Sequence, residues 1–137
     1  MNDFDEIDYW LESLQYDLKI YDTPEKMENV RKLFYSIAQN KMLSYYILDG
    51  RKGIVAYSIY PDYRGELSLL ELFIYIKSEY RGSFKLFKEL INHIEQVAKD
   101  NNCKSVKIGA NLKYKDHKIL RVLKSLGYSM DTVVKYL

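Results

Sequence analysis

A single carboxylate interrupts the most apolar stretch of this chain. Glu71 lies within Leu67–Ile76, ten residues that are otherwise aliphatic or aromatic apart from one serine. Burying a lone carboxylate costs free energy unless the group is paired or hydrogen-bonded, so a carboxylate retained there has either a partner or a function. Burial also raises the pKa of a glutamate toward neutrality, which suits a general base that takes a proton from an ammonium group. Glu71 is therefore a candidate base. The alternative is a structural glutamate on an open sheet face or paired with Lys or Arg.

A candidate anion site follows that stretch directly. Residues 78–83, Ser-Glu-Tyr-Arg-Gly-Ser, stand between a predicted strand and a predicted helix. Backbone N–H groups and the positive end of the helix dipole favour phosphate at such a junction, and Arg81, Lys85 and Lys88 add positive charge there. The same Tyr-Arg-Gly recurs at residues 63–65, between two strands, where its glycine is a turn residue. Residues 78–83 therefore predict a phosphate-binding site. The alternative is a strand-to-helix turn without a ligand.

The hydrophobic periodicity predicts the elements that must position these residues. The predicted helices are at residues 3–15, 24–40, 84–100 and 115–125. The predicted strands are at residues 17–21, 43–48, 54–60, 67–76, 105–110 and 132–137, and the first of them is short. Residues 49–53 carry the turn formers of a hairpin tip. Gly127 stands where a left-handed residue ends a helix. Since no linker or long repeat interrupts this order, a single domain over residues 1–137 is predicted.

The composition limits the class of protein. The chain has 137 residues, 47% of them hydrophobic and 29% charged, which is typical of one globular domain and excludes a disordered or collagen-like chain. Cys103 is the only cysteine, which excludes an intramolecular disulfide and favours a reducing compartment. The first ten residues carry acids and no base, unlike a leader peptide. The longest apolar stretch is also too short for a membrane helix. We therefore expect a cytoplasmic protein without a membrane partner.

The formal net charge of +2 is small but unevenly distributed. Residues 1–22 hold seven acids and one lysine, whereas residues 103–137 hold eight bases and two acids. The basic segment could attract a phosphorylated ligand, or it is a solvated helix face and loop. Because no motif for reading nucleic acid appears, no nucleic-acid partner is expected. The two histidines, His93 and His117, stand alone on predicted helices, so no metal site is expected either.

The ordered set of motifs resembles the GNAT acetyltransferase superfamily. It comprises a strand, Tyr-Arg-Gly-Ser at residues 80–83, an amphipathic helix, a strand, and Leu-Gly-Tyr at residues 126–128 before the last strand. The similarity covers roughly residues 17–137. Within the superfamily, the chain most resembles GNAT-like proteins encoded by bacteriophages. It implies an α/β fold with a mixed, mostly antiparallel sheet flanked by helices, and a V-shaped opening beside residues 74–76. Residues 1–16 would be an N-terminal helical extension. A phage origin would place the protein in the host cytoplasm or the virion.

This resemblance implies transfer of an acetyl group from acetyl-CoA to an amine, without a metal. The acceptor would be a small molecule, or a lysine or N-terminus of a protein. Glu71 would be the catalytic base. The cofactor-binding residues would come from the end of the 67–76 strand, the loop and helix start after it, and the end of the next strand: Ile74, Tyr75, Ile76, Arg81, Gly82, Ser83, Phe84, Lys85, Leu86 and Asn111.

The chain departs from the family pattern at three positions. Phe84 and Leu86 stand where the family has the later glycines of its phosphate loop, which let the backbone approach a pyrophosphate closely. Leu123 stands where the family usually has a tyrosine that protonates the leaving thiolate, a role for which Tyr114 is the nearest substitute. These departures keep a second function open. It is a catalytically inactive GNAT-like scaffold that acts as a protein-binding or phage-particle-associated module. A protein partner or a homodimer is considered for either function.

Overall fold

The computed structural model describes residues 2–18, 24–82, 84–109, 117–129, 135 and 137. In chain order the elements are α1 Asp3–Leu18, α2 Pro24–Gln39, β1 Ser44–Ile47, β2 Gly53–Pro61, β3 Leu67–Ile76, α3 Lys85–Asp100, β4 Ser105–Lys107 and α4 His117–Ser125. Two short 3-10 turns complete the described elements. Asp49–Arg51 joins β1 to β2, and Ser78–Tyr80 follows β3.

The four described strands form one mixed sheet in the order β1-β2-β3-β4. The β1–β2 and β2–β3 pairs are antiparallel, and β3–β4 is parallel. The β2–β3 ladder has one irregularity: Ala56 is matched to Phe73, but the next residue, Tyr57, is matched to Glu71. Leu72 is therefore an extra residue in β3, which is a β-bulge.

Helices cover both faces of the sheet. We call the two sides the α3 face and the α1 face. On the α3 face, α3 presents an apolar stripe at helical spacing, in which Leu90, Ile91 and Ile94 are fully buried against Leu69. On the α1 face, Trp10 packs against Tyr75 and neighbouring residues of the sheet. Burial of these apolar side chains is the main favourable term in forming the two layers.

These observations confirm the α/β class, the mixed and mostly antiparallel sheet, the flanking helices and the N-terminal helix. The predicted bounds of β3 are also confirmed. Gly127 has a φ of 95°, the left-handed conformation expected after α4. Among the described helices, none is both long and apolar enough to cross a membrane.

Four predicted elements differ from the structure or lie partly outside the described residues. The prediction of a strand at residues 17–21 is wrong for residues 17 and 18, because α1 continues to Leu18. The apolar spacing of residues 7, 11, 14 and 18 fits one helix stripe, so the helix extends one turn further. The strand at 105–110 is shorter, because β4 ends at Lys107 and Ile108 and Gly109 are not in a strand. Residues 19–21, 110, 115–116, 132–134 and 136, which belong to predicted elements, lie outside the described residues. Of the strand predicted at 132–137, the two described residues, 135 and 137, are not in a strand.

Candidate active site

Strands β3 and β4 separate next to Glu71. Their parallel ladder matches residues 68–70 to residues 105–107 and ends there in the part of the chain that the structure describes. On its other side, β3 stays paired with β2 as far as Ile76. The edge of residues 73–76 that faces away from β2 therefore carries no strand within the described ranges. This open edge lies where the sequence analysis expects an opening beside residues 74–76.

The carboxylate of Glu71 lies at the point where the two strands separate. The backbone N–H of Gly109 donates a hydrogen bond to Glu71 Oε2 at 3.1 Å, so a side chain links the strands where their main chains cease to pair. Burial raises the pKa of Glu71 to about 7, and the hydrogen bond from Gly109 partly opposes that rise. No lysine or arginine of the described ranges lies within ion-pair distance of this carboxylate. The ion-paired alternative is therefore not seen there.

The bulge at Leu72 determines the face on which Glu71 lies. Strict alternation along β3 would place Glu71 on the same face as Phe73, which packs on the α1 face. Because Leu72 is extra, Glu71 is instead matched to Tyr57, whose ring belongs to the core cluster of the α3 face. The sequence carries no signal for this bulge. Neither Tyr57 nor Gly109 could be identified from the sequence as a neighbour of the candidate base.

The open edge presents main-chain groups of Ile74 and Ile76. Lys77 N–H donates to Lys52 C=O at 3.0 Å, and hydrogen-bonded and non-hydrogen-bonded pairs alternate along an antiparallel ladder. The main chain of Tyr75 therefore faces β2, whereas those of Ile74 and Ile76 face the opening. The side chain of Tyr75 is buried under α1 and is only 3% exposed. Of the three strand residues predicted to bind the cofactor, Ile74 and Ile76 therefore lie at the opening and Tyr75 does not.

The loop after β3 keeps its backbone accessible at Gly82. A Cβ added to Gly82 would meet none of the described atoms within 4 Å. Arg81 is exposed, and its Nε donates to the carbonyl oxygen of Ile76 at 2.6 Å, which holds its guanidinium beside the end of β3. Two further predicted cofactor-binding residues, Ser83 and Asn111, lie outside the described residues.

The start of α3 forms an open depression next to this loop. It is lined by Phe84, Lys85, Lys88, Glu89 and Asn92. Phe84 precedes the helix, and within the described ranges no side chain caps the helix N-terminus by a hydrogen bond. The side chain of Leu86 packs on the core of the α3 face, so this large residue does not cover the helix start.

These residues fit the diphosphate group of acetyl-CoA. The uncapped start of α3 presents the positive end of the helix dipole, and two lysines line the depression beside it. The backbone at Gly82 is open to close approach. Within the described ranges, no three His, Cys, Asp or Glu side chains are grouped as metal ligands would be.

The position of the family's usual general acid is a core position in this chain. Leu123 is 4% exposed and packs in the cluster of the α3 face. Its burial among aliphatic and aromatic side chains accounts for an apolar residue there. Tyr114, the substitute considered from the sequence, lies outside the described residues.

The comparisons with known proteins agree with this geometry. All residues from 1 to 137 match the family model described as the acetyltransferase (GNAT) domain. The chain therefore belongs to the GNAT family. Among curated protein sequences, none matches it significantly.

Solved structures show the same fold at low sequence identity. A candidate acetyltransferase from Pyrococcus furiosus has a TM-score of 0.76 and 18% identity, with 97% of this chain and 91% of that chain covered. An acetyltransferase from Trypanosoma brucei has a TM-score of 0.69 and 16% identity, covering 99% and 94%. AAC(6')-Iy, in complex with the bisubstrate analogue CoA-S-monomethyl-acetylneamine, has a TM-score of 0.64 and 17% identity, covering 97% and 91%.

Proposed function

We propose that this chain is an acyl-CoA-dependent N-acyltransferase that transfers an acetyl group from acetyl-CoA to an amine. Membership of the GNAT family supports the class of reaction. The observation that carries the proposal is the carboxylate of Glu71. It lies unpaired by any described cation at the point where β3 and β4 separate, beside the open edge of β3. In this proposal the carboxylate is the general base, and the strand edge next to it binds an extended ligand.

Glu71 would take a proton from the acceptor ammonium group. An amine must lose a proton to become a nucleophile, and a base works best when its pKa lies near the working pH. Because burial brings the pKa of Glu71 to about 7, a substantial fraction of the carboxylate is free to accept a proton at neutral pH. The N–H of Gly109 holds one carboxylate oxygen, which fixes the direction of the other.

The residues beside Glu71 would hold acetyl-CoA. At the open edge, the N–H and C=O of Ile74 and the N–H of Ile76 would pair with the amide groups of its pantetheine arm, since Arg81 holds the carbonyl of Ile76. Gly82 and the start of α3 would take its diphosphate. Acetyl-CoA supplies a thioester, whose carbonyl carbon is activated toward amines. The chain supplies position, charge and a base.

The acceptor is an amine on a small molecule, or a lysine or N-terminus of a protein. Both kinds appear in the names of structural neighbours. One is a ribosomal-protein-alanine N-acetyltransferase from Brucella melitensis, and another was solved with an analogue of acetylneamine. A phage origin, a cytoplasmic location and a protein partner or homodimer stay predictions from the sequence.

The test compares Glu71→Gln with the matched control Glu12→Gln, which changes an exposed carboxylate of α1, away from the loop after β3 and the start of α3. Release of CoA is followed with a panel of small amines and peptides. Loss of a general base lowers the rate by about 10²–10⁴-fold, so we expect that loss for Glu71→Gln and none for the control. The wild-type rate should rise as the pH passes through about 7. Wild-type turnover by Glu71→Gln, with an unchanged pH profile, contradicts the proposal.

The catalytically inactive scaffold is the second candidate. It is favoured by the buried Leu123 at the usual acid position and by Phe84 at a loop-glycine position. Arg81→Ala separates the two candidates. In the enzyme, loss of the guanidinium beside Ile76 should weaken acetyl-CoA binding in a calorimetric titration. In the scaffold, neither wild type nor variant gives a binding signal.

A further inference from the structure

The hydroxyl of Tyr9 lies beside two cations on the α1 face. Lys77 Nζ donates a hydrogen bond to Tyr9 Oη at 2.6 Å. The guanidinium carbon of Arg51 lies 4.0 Å from the centroid of the Tyr9 ring. Tyr9 belongs to α1, Arg51 to the β1–β2 turn, and Lys77 directly follows β3. Three segments far apart in sequence therefore meet at one partly exposed phenol.

One carboxylate holds this arrangement in place. Glu6 is buried, and it accepts hydrogen bonds from Arg51 Nη2 at 2.7 Å and Nη1 at 3.1 Å. Trp10 Nε1 also donates to Glu6 Oε2, at 3.1 Å. Glu6 thus balances the charge of Arg51, whereas no carboxylate of the described ranges lies within ion-pair distance of Lys77. The charge next to the hydroxyl is net positive.

A positive surrounding stabilises the phenolate form of a tyrosine. The hydrogen bond from Lys77 lowers the pKa of Tyr9, burial partly opposes this effect, and Arg51 adds to it. Four other tyrosines have the opposite shift, caused by burial or by hydrogen bonds to carboxylates: Tyr35, Tyr45, Tyr57 and Tyr128. Tyr9 is therefore the tyrosine that its neighbours favour as a nucleophile, within the part of the chain that the structure describes.

We propose that Tyr9 Oη is a covalent modification site that takes an acyl group from an activated acyl donor. The phenol loses its proton to water, and Oη forms a bond to the carbonyl carbon of the donor. The bond from that carbon to the leaving group breaks, and the leaving group departs with the electron pair and is protonated by solvent. The product is an aryl ester. This inference does not depend on the proposed function, since it uses neither Glu71 nor the opening beside β3.

N-Acetylimidazole is a suitable probe, because its leaving group is imidazole. The full-length chain is treated with a limiting amount, and acetylation at each tyrosine is followed by peptide mass spectrometry. Hydroxylamine cleaves tyrosyl esters and leaves lysine amides intact, so the two products are distinguished. Tyr16 and Tyr63 are 84% and 95% exposed, so accessibility alone favours them over Tyr9. We expect Tyr9 to react severalfold faster than either, and its rate to level off at a lower pH. Faster reaction of Tyr63 overturns the proposal.

Substitutions of Lys77 and Lys52 test whether the ammonium group of Lys77 causes the reactivity of Tyr9. Lys77→Gln removes the cation that donates to Tyr9, so acetylation of Tyr9 should slow severalfold while that of Tyr63 is unchanged. Lys52→Gln is the matched control, because Lys52 Nζ lies over the ring of Tyr80 instead, 5.5 Å from its centroid. An unchanged rate at Tyr9 in Lys77→Gln overturns the proposal. If Lys77→Gln does not fold, the relative acetylation rates of Tyr9 and Tyr63 in the wild-type chain still test the proposal.

Discussion

At the scale of single residues, the carboxyl group of Glu71 binds a proton more tightly in the folded chain than in the unfolded one. Its pKa is about 7 when folded, against 4.5 for an ordinary glutamate. Between these two pH values the folded state holds the proton that the unfolded state has released. Stability therefore falls as the pH rises from 4.5 to 7 and stays low above 7. The property that suits Glu71 to accept a proton also destabilises the fold at neutral pH.

We therefore expect Glu71→Gln to stabilise the protein at pH 8 and to have little effect at pH 4.5, where Glu71 is largely protonated in the folded state. The gain at pH 8 should be about 1–3 kcal/mol in the free energy of unfolding, because one pKa unit corresponds to about 1.4 kcal/mol. Urea denaturation at the two pH values measures it. Equal stability of variant and wild type at pH 8 would show that Glu71 is well solvated.

A second prediction concerns the ion pair between Arg51 and Glu6. Arg51→Ala leaves the buried carboxylate of Glu6 without its 2.7 Å partner, which should cost about 1–3 kcal/mol of stability. Arg31→Ala is the control, since Arg31 pairs with Asp8 and Glu28 and the three side chains are 40%, 43% and 50% exposed. Exposed pairs contribute about 0–1 kcal/mol. Chemical denaturation of both variants makes the comparison, and equal losses would contradict it.

At the scale of elements, Gly53 and Gly82 differ in the space that is available for a side chain. A Cβ at Gly53 would lie 2.8 Å from the carbonyl oxygen of Tyr75, where the first residue of β2 meets the end of β3. A Cβ at Gly82 meets none of the described atoms within 4 Å. Gly53→Ala should therefore lower the free energy of unfolding by about 1–3 kcal/mol through overpacking. Gly82→Ala should change it by less than about 0.5 kcal/mol. Thermal denaturation measures both, and a stable Gly53→Ala would mean that the two strands can move apart.

Most elements could be predicted from the sequence, because their apolar residues follow one period from end to end. The stripe of α3 and the bounds of β3 are examples. The bulge at Leu72 could not be predicted, because it depends on the pairing of β3 with β2 and leaves no trace in composition. Glu71 stood out as a charge in an apolar strand, but its partner Gly109 is brought near by the fold. Local pattern identifies a candidate group, whereas tertiary pairing determines its surroundings.

At the scale of the whole molecule, binding of acetyl-CoA should stabilise the folded chain. A ligand that binds only the folded state at 100 times its Kd adds about 2.7 kcal/mol, so acetyl-CoA should raise the Tm of wild type. Gly82→Ala should reduce that rise, because its methyl group occupies space that the diphosphate needs. The unliganded Tm of the same variant serves as the control, since a Cβ at Gly82 meets none of the described atoms within 4 Å. An unchanged Tm of wild type with acetyl-CoA would favour the scaffold.

The sole tryptophan of the chain is placed so that its emission reports on one layer only. Trp10 is 2% exposed, and its ring meets that of Tyr75 edge-on with the centroids 6.0 Å apart. Release of α1 from the sheet would transfer this indole from a dry environment to water and move its fluorescence to longer wavelength. The far-ultraviolet dichroism reports instead on the helices of both layers, α1 and α2 as well as α3 and α4. Following both signals through one titration would therefore reveal whether the two layers come apart together or one after the other.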